Sequence, residues 1–309
     1  IIFRLLEEQM NRHKHIFSFV FTVVSVPLVL AVQELCSDIQ YSLKNYMIIS
    51  LIILIAGISA WIEYSQYKTE KETAEKEKVE KQNERAKMVL SQIVQLIDRK
   101  AGNIRENTYE LLITTKEWPY FYGVHKYLHE VCENLKFTIA KIIKAENDYV
   151  DVSLIYKYYG EKEWKWLAGK SGVSGAVNLN EFINDPKTLY SYILSYKDET
   201  PLFCNDKSKS KIYKLGRRDN LFGGKGSFYA MPITFSNNQE ALVEAILLIS
   251  TYGVNFIALN STKDEENEFR RILAYEVVPY YVSIIQSELG ALYMRHNINR
   301  IRRFSLEDK

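Results

Sequence analysis

Residues Ile62–Leu112 read IEYSQYKTEKETAEKEKVEKQNERAKMVLSQIVQLIDRKAGNIRENTYELL, a charged run that passes into apolar residues at heptad spacing. Placing Leu90, Ile97, Ile104 and Leu111 at heptad position a puts Val79, Ala86 and Ile93 at d. Polar Asn83 then falls at a, and Lys100 and Asn107 interrupt d. The spacing predicts one long helix with a coiled-coil seam that weakens towards its C-terminal end. Glu72 with Lys76 and Glu77 with Lys81 stand four apart with the acid first, each pair worth roughly 0.2–0.5 kcal/mol. For Thr69–Glu84 alone, a solvated helix that pairs with nothing is an equal reading; beyond Val79 the apolar repeat favours a partner.

Working back from this helix, two runs without a charge precede it. IFSFVFTVVSVPLVLAV spans Ile16–Val32 and YMIISLIILIAGISAWI spans Tyr46–Ile62, 17 residues each with 13 between them. Each is at the short end of what crosses a bilayer as a helix, and the pair predicts a transmembrane hairpin over residues 1–64. A cleaved signal peptide accounts only for the first run, and no small-residue cleavage site follows it. Arg4, Arg12 and Lys14 precede the first run and Lys68, Lys71, Lys76 and Lys78 follow the second, whereas the loop between holds only Lys44. The positive-inside rule then places both termini in the cytoplasm, in the cytoplasmic (inner) membrane, with the lipid bilayer as a partner. Apart from Ser and Thr the runs carry no polar side chain, so one hairpin offers no ion pathway.

Working forward, the stalk helix occupies residues 65–118, KEWPYFYG marks a boundary at Pro119 and Gly123, and a second unit fills residues 119–294, followed by a basic tail, residues 295–309. Val124–Ile143 has a one-sided apolar stripe. DVSLIYKYY and EKEWKWLAG read as a hairpin, Asn180–Tyr196 as helical, PLFC as a short strand, GSFYAMPITF and VEAILLIST as two strands about the Asn237-Asn238 turn, and Glu265–Tyr293 as a long helix with Pro279 inside it. The fold class is α+β.

Composition sets further bounds. The chain has 309 residues, 25% charged and 47% hydrophobic, with 40 basic against 38 acidic residues and a net charge of +2, which fits a folded protein and points to no nucleic-acid partner. Cys36, Cys132 and Cys204 have neither zinc nor disulfide spacing. No HExxH, GxSxG, kinase or cyclase pattern is present, so an enzyme is not expected. His125 and His129 stand i, i+4 with Glu130 beside them, but a third ligand is missing, and no metal or cofactor is expected.

The segment Asp206–Lys225, DKSKSKIYKLGRRDNLFGGK, is the strongest candidate site. It holds seven cations against two carboxylates, a net of +5, and is rich in glycine. Arg forks and glycine amides suit phosphate; a solvated loop, or one that touches anionic headgroups, is the plainer reading. GRRDNLFGGKG is not a Walker A loop, since Gly226 follows Lys225. Tyr156, Tyr158, Tyr159, Trp164, Trp166, Tyr213, Phe228 and Tyr229 could stack on a base or pack a core.

The order helix, hairpin, helix, short strand with an Asp, loop, two strong strands, final helix resembles a GAF domain over Tyr122–Tyr293. PLFCND (Pro201–Asp206), SFYAMPITF with Pro232, and VEAILLIST carry the resemblance; the Asn-Lys-Phe-Asp-Glu signature of cyclic-nucleotide-binding members is absent, and no Cys is placed for a bilin. The resemblance implies a GAF-like antiparallel sheet flanked by helices, with a small-ligand pocket on one face. The ligand-binding residues expected are Arg217, Arg218, Lys225, Tyr229 and Asp206. The expected function is a membrane-anchored sensor that binds a small anionic, nucleotide-like ligand and signals to the hairpin by rearranging a homo-oligomer built on the stalk helix. Two alternatives stand beside it: an antiphage effector that disrupts the membrane on nucleotide activation, and a non-sensing scaffold that dimerises or recruits a partner.

Overall fold

Helix α1 runs from Tyr41 to Ile113, 73 residues. In the computed structural model the described residues are 41–113, 123–168, 179–195, 201–237 and 240–307. The chain divides into two compact units, residues 1–83 and 84–309.

In the first unit the predicted run Tyr46–Ile62 is helical throughout, and Ile49, Ile53, Leu54 and Trp61 are exposed along it. Uncharged Leu, Ile and Ala favour helix here, and Gly57 is tolerated within a long segment. Among the described residues one helical stretch, Ile49–Glu106, is long and apolar enough to cross a membrane, with an 18-residue window of mean hydropathy 1.5. The predicted first run, Ile16–Val32, lies outside the described residues. So does most of the loop of the expected hairpin.

The second unit holds a five-stranded sheet. The strands are β1 (Val150–Tyr158), β2 (Lys165–Ala168), β3 (Leu202–Cys204), β4 (Phe228–Ser236) and β5 (Ala241–Thr251), in the order β2-β1-β5-β4-β3. Every neighbouring pair is antiparallel. β4 and β5 turn at Asn237, whose Oδ1 accepts the Glu240 N–H at 2.8 Å. β1 is buried on both faces, not half-buried as a two-residue alternation would leave it, because it is flanked by β2 and β5 and covered above and below.

One face of the sheet presents Val152, Leu154, Tyr156, Tyr229, Ile233, Val243, Ala245, Leu247 and Ile249 to long helices. These are α2 (Val124–Ile142), α6 (Lys263–Arg271) and α7 (Val278–Glu307), joined by the second unit's part of α1. The other face, with Ile155, Phe228, Ala230, Ile246 and Leu248, is covered by short helices α3 (Leu179–Asn184) and α4 (Leu189–Ser195). The expected helix over Asn180–Tyr196 is thus two helices; Pro186 sits in the break and Thr188 starts α4, its hydroxyl accepting the Ser191 N–H.

Within the second unit α1 is a core element. Val89 and Leu96 are fully buried in the same cluster as α2 and α7, and Ile93 packs against it. Between and beyond them lie polar rungs. Arg85 donates through Nε and Nη2 to Glu276 Oε2 at 3.1 and 3.0 Å. Asn134 Nδ2 donates to Gln92 Oε1 at 2.9 Å, and Tyr281 donates to Asn134 Oδ1 at 2.7 Å. Lys100 pairs with Glu288, which is buried. Contacts climb both α1 (85, 92, 100) and the C-terminal helices (276, 281, 288) in the same sense, so the two run parallel. The buried face is therefore the one the heptad frame puts at g, Val89 and Leu96, together with Ile93 of d. Leu90, Val94 and Ile97 remain exposed.

The expected final helix is interrupted. Ile272–Val277 is π-helical, with the Val278 N–H bonded to the Leu273 carbonyl five residues back. Pro279 supplies the reason: it has no N–H and its ring presses on the carbonyl of residue i−4, Tyr275, so the turn before it widens.

Candidate ligand loop

The Asp206–Lys225 segment is folded by its own charges. Asp206 accepts from the Ser208 N–H and hydroxyl at 3.1 and 2.6 Å and so starts a single 3-10 turn, Lys207–Lys209. Those bonds favour the ionised form and hold its carboxyl below the ordinary aspartate value. The next residue turns inward. Lys207 is 1% exposed, and its ammonium donates to Asp219 Oδ1 at 2.9 Å and to the Thr251 carbonyl at 2.7 Å. It lies 4.1 Å from the centre of the Tyr252 ring and 4.8 Å from that of Tyr213. Burial lowers it to about 8, with Asp219 opposing.

Asp219 belongs to the short helix α5, Arg217–Leu221. Its second oxygen accepts from the Gly216 N–H at 2.9 Å and from the Tyr213 hydroxyl at 3.3 Å, so one carboxylate caps the helix and neutralises the buried lysine. Arg218 pairs with Asp151 of β1 at 3.3 Å, donates to the Asp148 carbonyl, and lies 4.3 Å from the Tyr252 ring centre. Burial raises Asp151 above the ordinary carboxylate value while Arg218 opposes the rise. Tyr252 is thus shared by two cations, each held by its own carboxylate. Tyr213 lies flat on Phe228, centroids 5.2 Å apart and planes 14° off parallel, with its hydroxyl 3.3 Å from Ser250 Oγ. Gly226, at φ +148°, brings the loop's end against β5. A Cβ there would sit 2.1 Å from the Thr251 carbonyl oxygen.

The expected site residues separate into three groups. Arg217 and Lys225 are exposed. Asp206 is engaged inside the loop, also pairing with Lys209 at 3.0 Å, and Arg218 reaches out of it to Asp151 and the Asp148 carbonyl. Tyr229 is not with the others: it is 1% exposed in the core cluster on the long-helix face, whereas Phe228, one residue earlier, faces the loop side. Lys214 pairs with Asp185 at 2.8 Å. Among the described residues no carboxylate pairs with Lys211, Arg217 or Lys225. The arrangement is a loop with its inward charges matched and with Lys211, Arg217 and Lys225 exposed at its surface.

The residues the sequence reading did not single out, Asp151, Asp219, Ser250 and Tyr252, are those that tie the loop down. Asp219 carried a signal, since it lies between Gly216 and the glycine pair and is one of only two acids in the segment. At the other end of the sheet His125 Nε2 lies 3.4 Å from the Tyr156 hydroxyl. Among the described residues no group of three His, Cys, Asp or Glu side chains could hold a metal ion. Compared with known proteins, the chain matches no protein-family model, and no curated protein is significantly similar to it.

Proposed function

We propose that this protein is a membrane-anchored sensor of the GAF type, in which a small anionic ligand held at the basic loop alters the packing of helix α1. The observation that carries this reading is that α1, whose first part is long and apolar enough to cross a membrane, is also built into the core of the sheet unit through Val89 and Leu96. A change of packing in the sheet unit therefore has a helix to act on. The five antiparallel strands with helices on both faces agree with what the GAF resemblance implies. Arg217, Lys225 and Lys211, exposed on a loop fixed by the buried Lys207–Asp219 pair and the partly buried Arg218–Asp151 pair, supply the anion contacts at little ordering cost. Anchoring in the cytoplasmic membrane with both termini inside, and assembly of copies along α1, complete the proposal.

The test is a melting-temperature screen of the full chain in detergent with cyclic mono- and dinucleotides, with inorganic phosphate as control. A ligand at about 100 times its dissociation constant stabilises the folded state by about 2.7 kcal/mol, a rise of several degrees. The rise should be lost in Arg217→Ala/Lys225→Ala. No rise with any nucleotide favours the membrane-anchored scaffold.

A further inference from the structure

The π-helical segment Ile272–Val277 stands where two sets of contacts meet. On its N-terminal side α6 is fastened to β3. Phe269 packs on Phe256 at 5.6 Å and Phe203 at 6.4 Å between ring centroids, and Arg270 donates to the Pro201 carbonyl. β3 runs directly into Asn205 and Asp206, the start of the basic loop. On its C-terminal side α7 carries Glu288, which pairs with Lys100 of α1, and Tyr281, which bonds Asn134 of α2, itself bonded to Gln92 of α1. Within the segment Leu273 and Val277 are fully buried, Tyr275 is 74% exposed, and Glu276 takes Arg271 of α6 on one oxygen at 3.0 Å and Arg85 of α1 on the other.

We propose that the π-helical turn, with Glu276 as its shared acceptor, is the joint through which the basic loop and helix α1 influence each other. This rests on the sensor reading above. A π turn holds one residue more than the α-helix around it needs, so the extra residue can move along the helix while the flanking turns stay intact. Moving it changes which side chain faces α1 at position 276 and exchanges the Arg85 bond for solvent. Glu276 with and without its Arg85 bond would be the two arrangements that coupling between separate sites requires. Exposed Tyr275 is the residue the turn can spare, because its removal takes out the extra residue and leaves Leu273 and Glu276 on their present faces.

The experiment measures amide hydrogen exchange over Arg85–Gln95 in the full chain, in detergent, for the parent, Asp206→Ala, a Tyr275 deletion, and the two changes together. Asp206→Ala removes the bonds that start the basic loop. It is expected to raise exchange in Arg85–Gln95 about tenfold in the parent and to leave it unchanged in the deletion background. An equal rise in both backgrounds, or none in the parent, overturns the joint. Should the deletion fail to fold, Glu276→Gln takes its place, keeping the backbone and weakening both arginine bonds, with the same loss of response expected. Nucleotide-dependent melting with no such coupling would overturn the joint and leave the sensor reading standing, so the two fail separately.

Discussion

The two faces of the sheet are stabilised by different means. The face under α1, α2, α6 and α7 is a continuous apolar cluster with hydrogen-bonded polar sets inside it, such as Gln92, Asn134, Tyr281 and Thr138. The face under the basic loop has a smaller apolar cluster, and at its edge one buried ion pair, Lys207–Asp219, and one partly buried, Arg218–Asp151, stand around one tyrosine. Apolar packing tolerates exchange of one methyl group for another, whereas a buried ion pair fixes which groups must meet. The first face thus suits a scaffold and the second a loop that must be held in one shape.

Removing one partner from the loop face should do the most damage. Asp219→Ala leaves the Lys207 ammonium buried without its counter-charge and the Gly216 N–H without an acceptor, and is expected to cost about 3–5 kcal/mol in denaturant unfolding of the full chain. The same pair makes a pH prediction. Because burial holds Lys207 at about 8 against 10.5 ordinarily, the unfolded chain carries a proton between those values that the folded chain has lost. This group therefore makes stability rise with pH across the window. Lys207→Met deletes that contribution, so its melting temperature relative to the parent should fall as pH rises from about 8 to 10.5; a difference independent of pH would show that Lys207 keeps its proton.

On the long-helix face Leu96→Ala should cost about 2–4 kcal/mol, read by the same unfolding, since the side chain is fully buried between α1 and the core. An effect near zero would mean that α1 is not held by the sheet unit in solution. The smallest effects divide neighbouring arginines. Arg218→Gln breaks the Asp151 pair and is expected to cost about 1.5–3 kcal/mol, whereas Arg217→Gln, on an exposed side chain without an ion pair, should leave the melting temperature within about 2 °C. Equal losses at 217 and 218 would erase the distinction between inward and outward cations.

Much of this was legible in the residues. VEAILLIST and SFYAMPITF announce strands through their β-branched and aromatic content, and the asparagine turn joins them in register. The buried face of α1 was not legible, because a helix with apolar residues at 89, 90, 93, 94, 96 and 97 has several stripes, and periodicity alone does not say which meets the chain's own core. Tyr229 was expected beside the loop. Adjacent residues of a strand face opposite ways, and only the observed register shows that Phe228, not Tyr229, faces it. Lys207 lies within DKSKSK, which reads as solvated; its burial depends on Asp219, 12 residues further on, and on Thr251 at the end of β5.

The ladder between α1 and the C-terminal helices has a consequence for how the chain is made. Arg85 and Glu276 are 191 residues apart. At roughly 5–20 residues per second, a ribosome needs about 10–40 s between releasing the two. Through most of that interval Val89 and Leu96 have α2 but not α7, the second of the helices that will cover them. The nascent chain therefore carries a half-covered apolar stripe next to a segment fit for insertion, which makes shielding of that stripe a demand on its biogenesis.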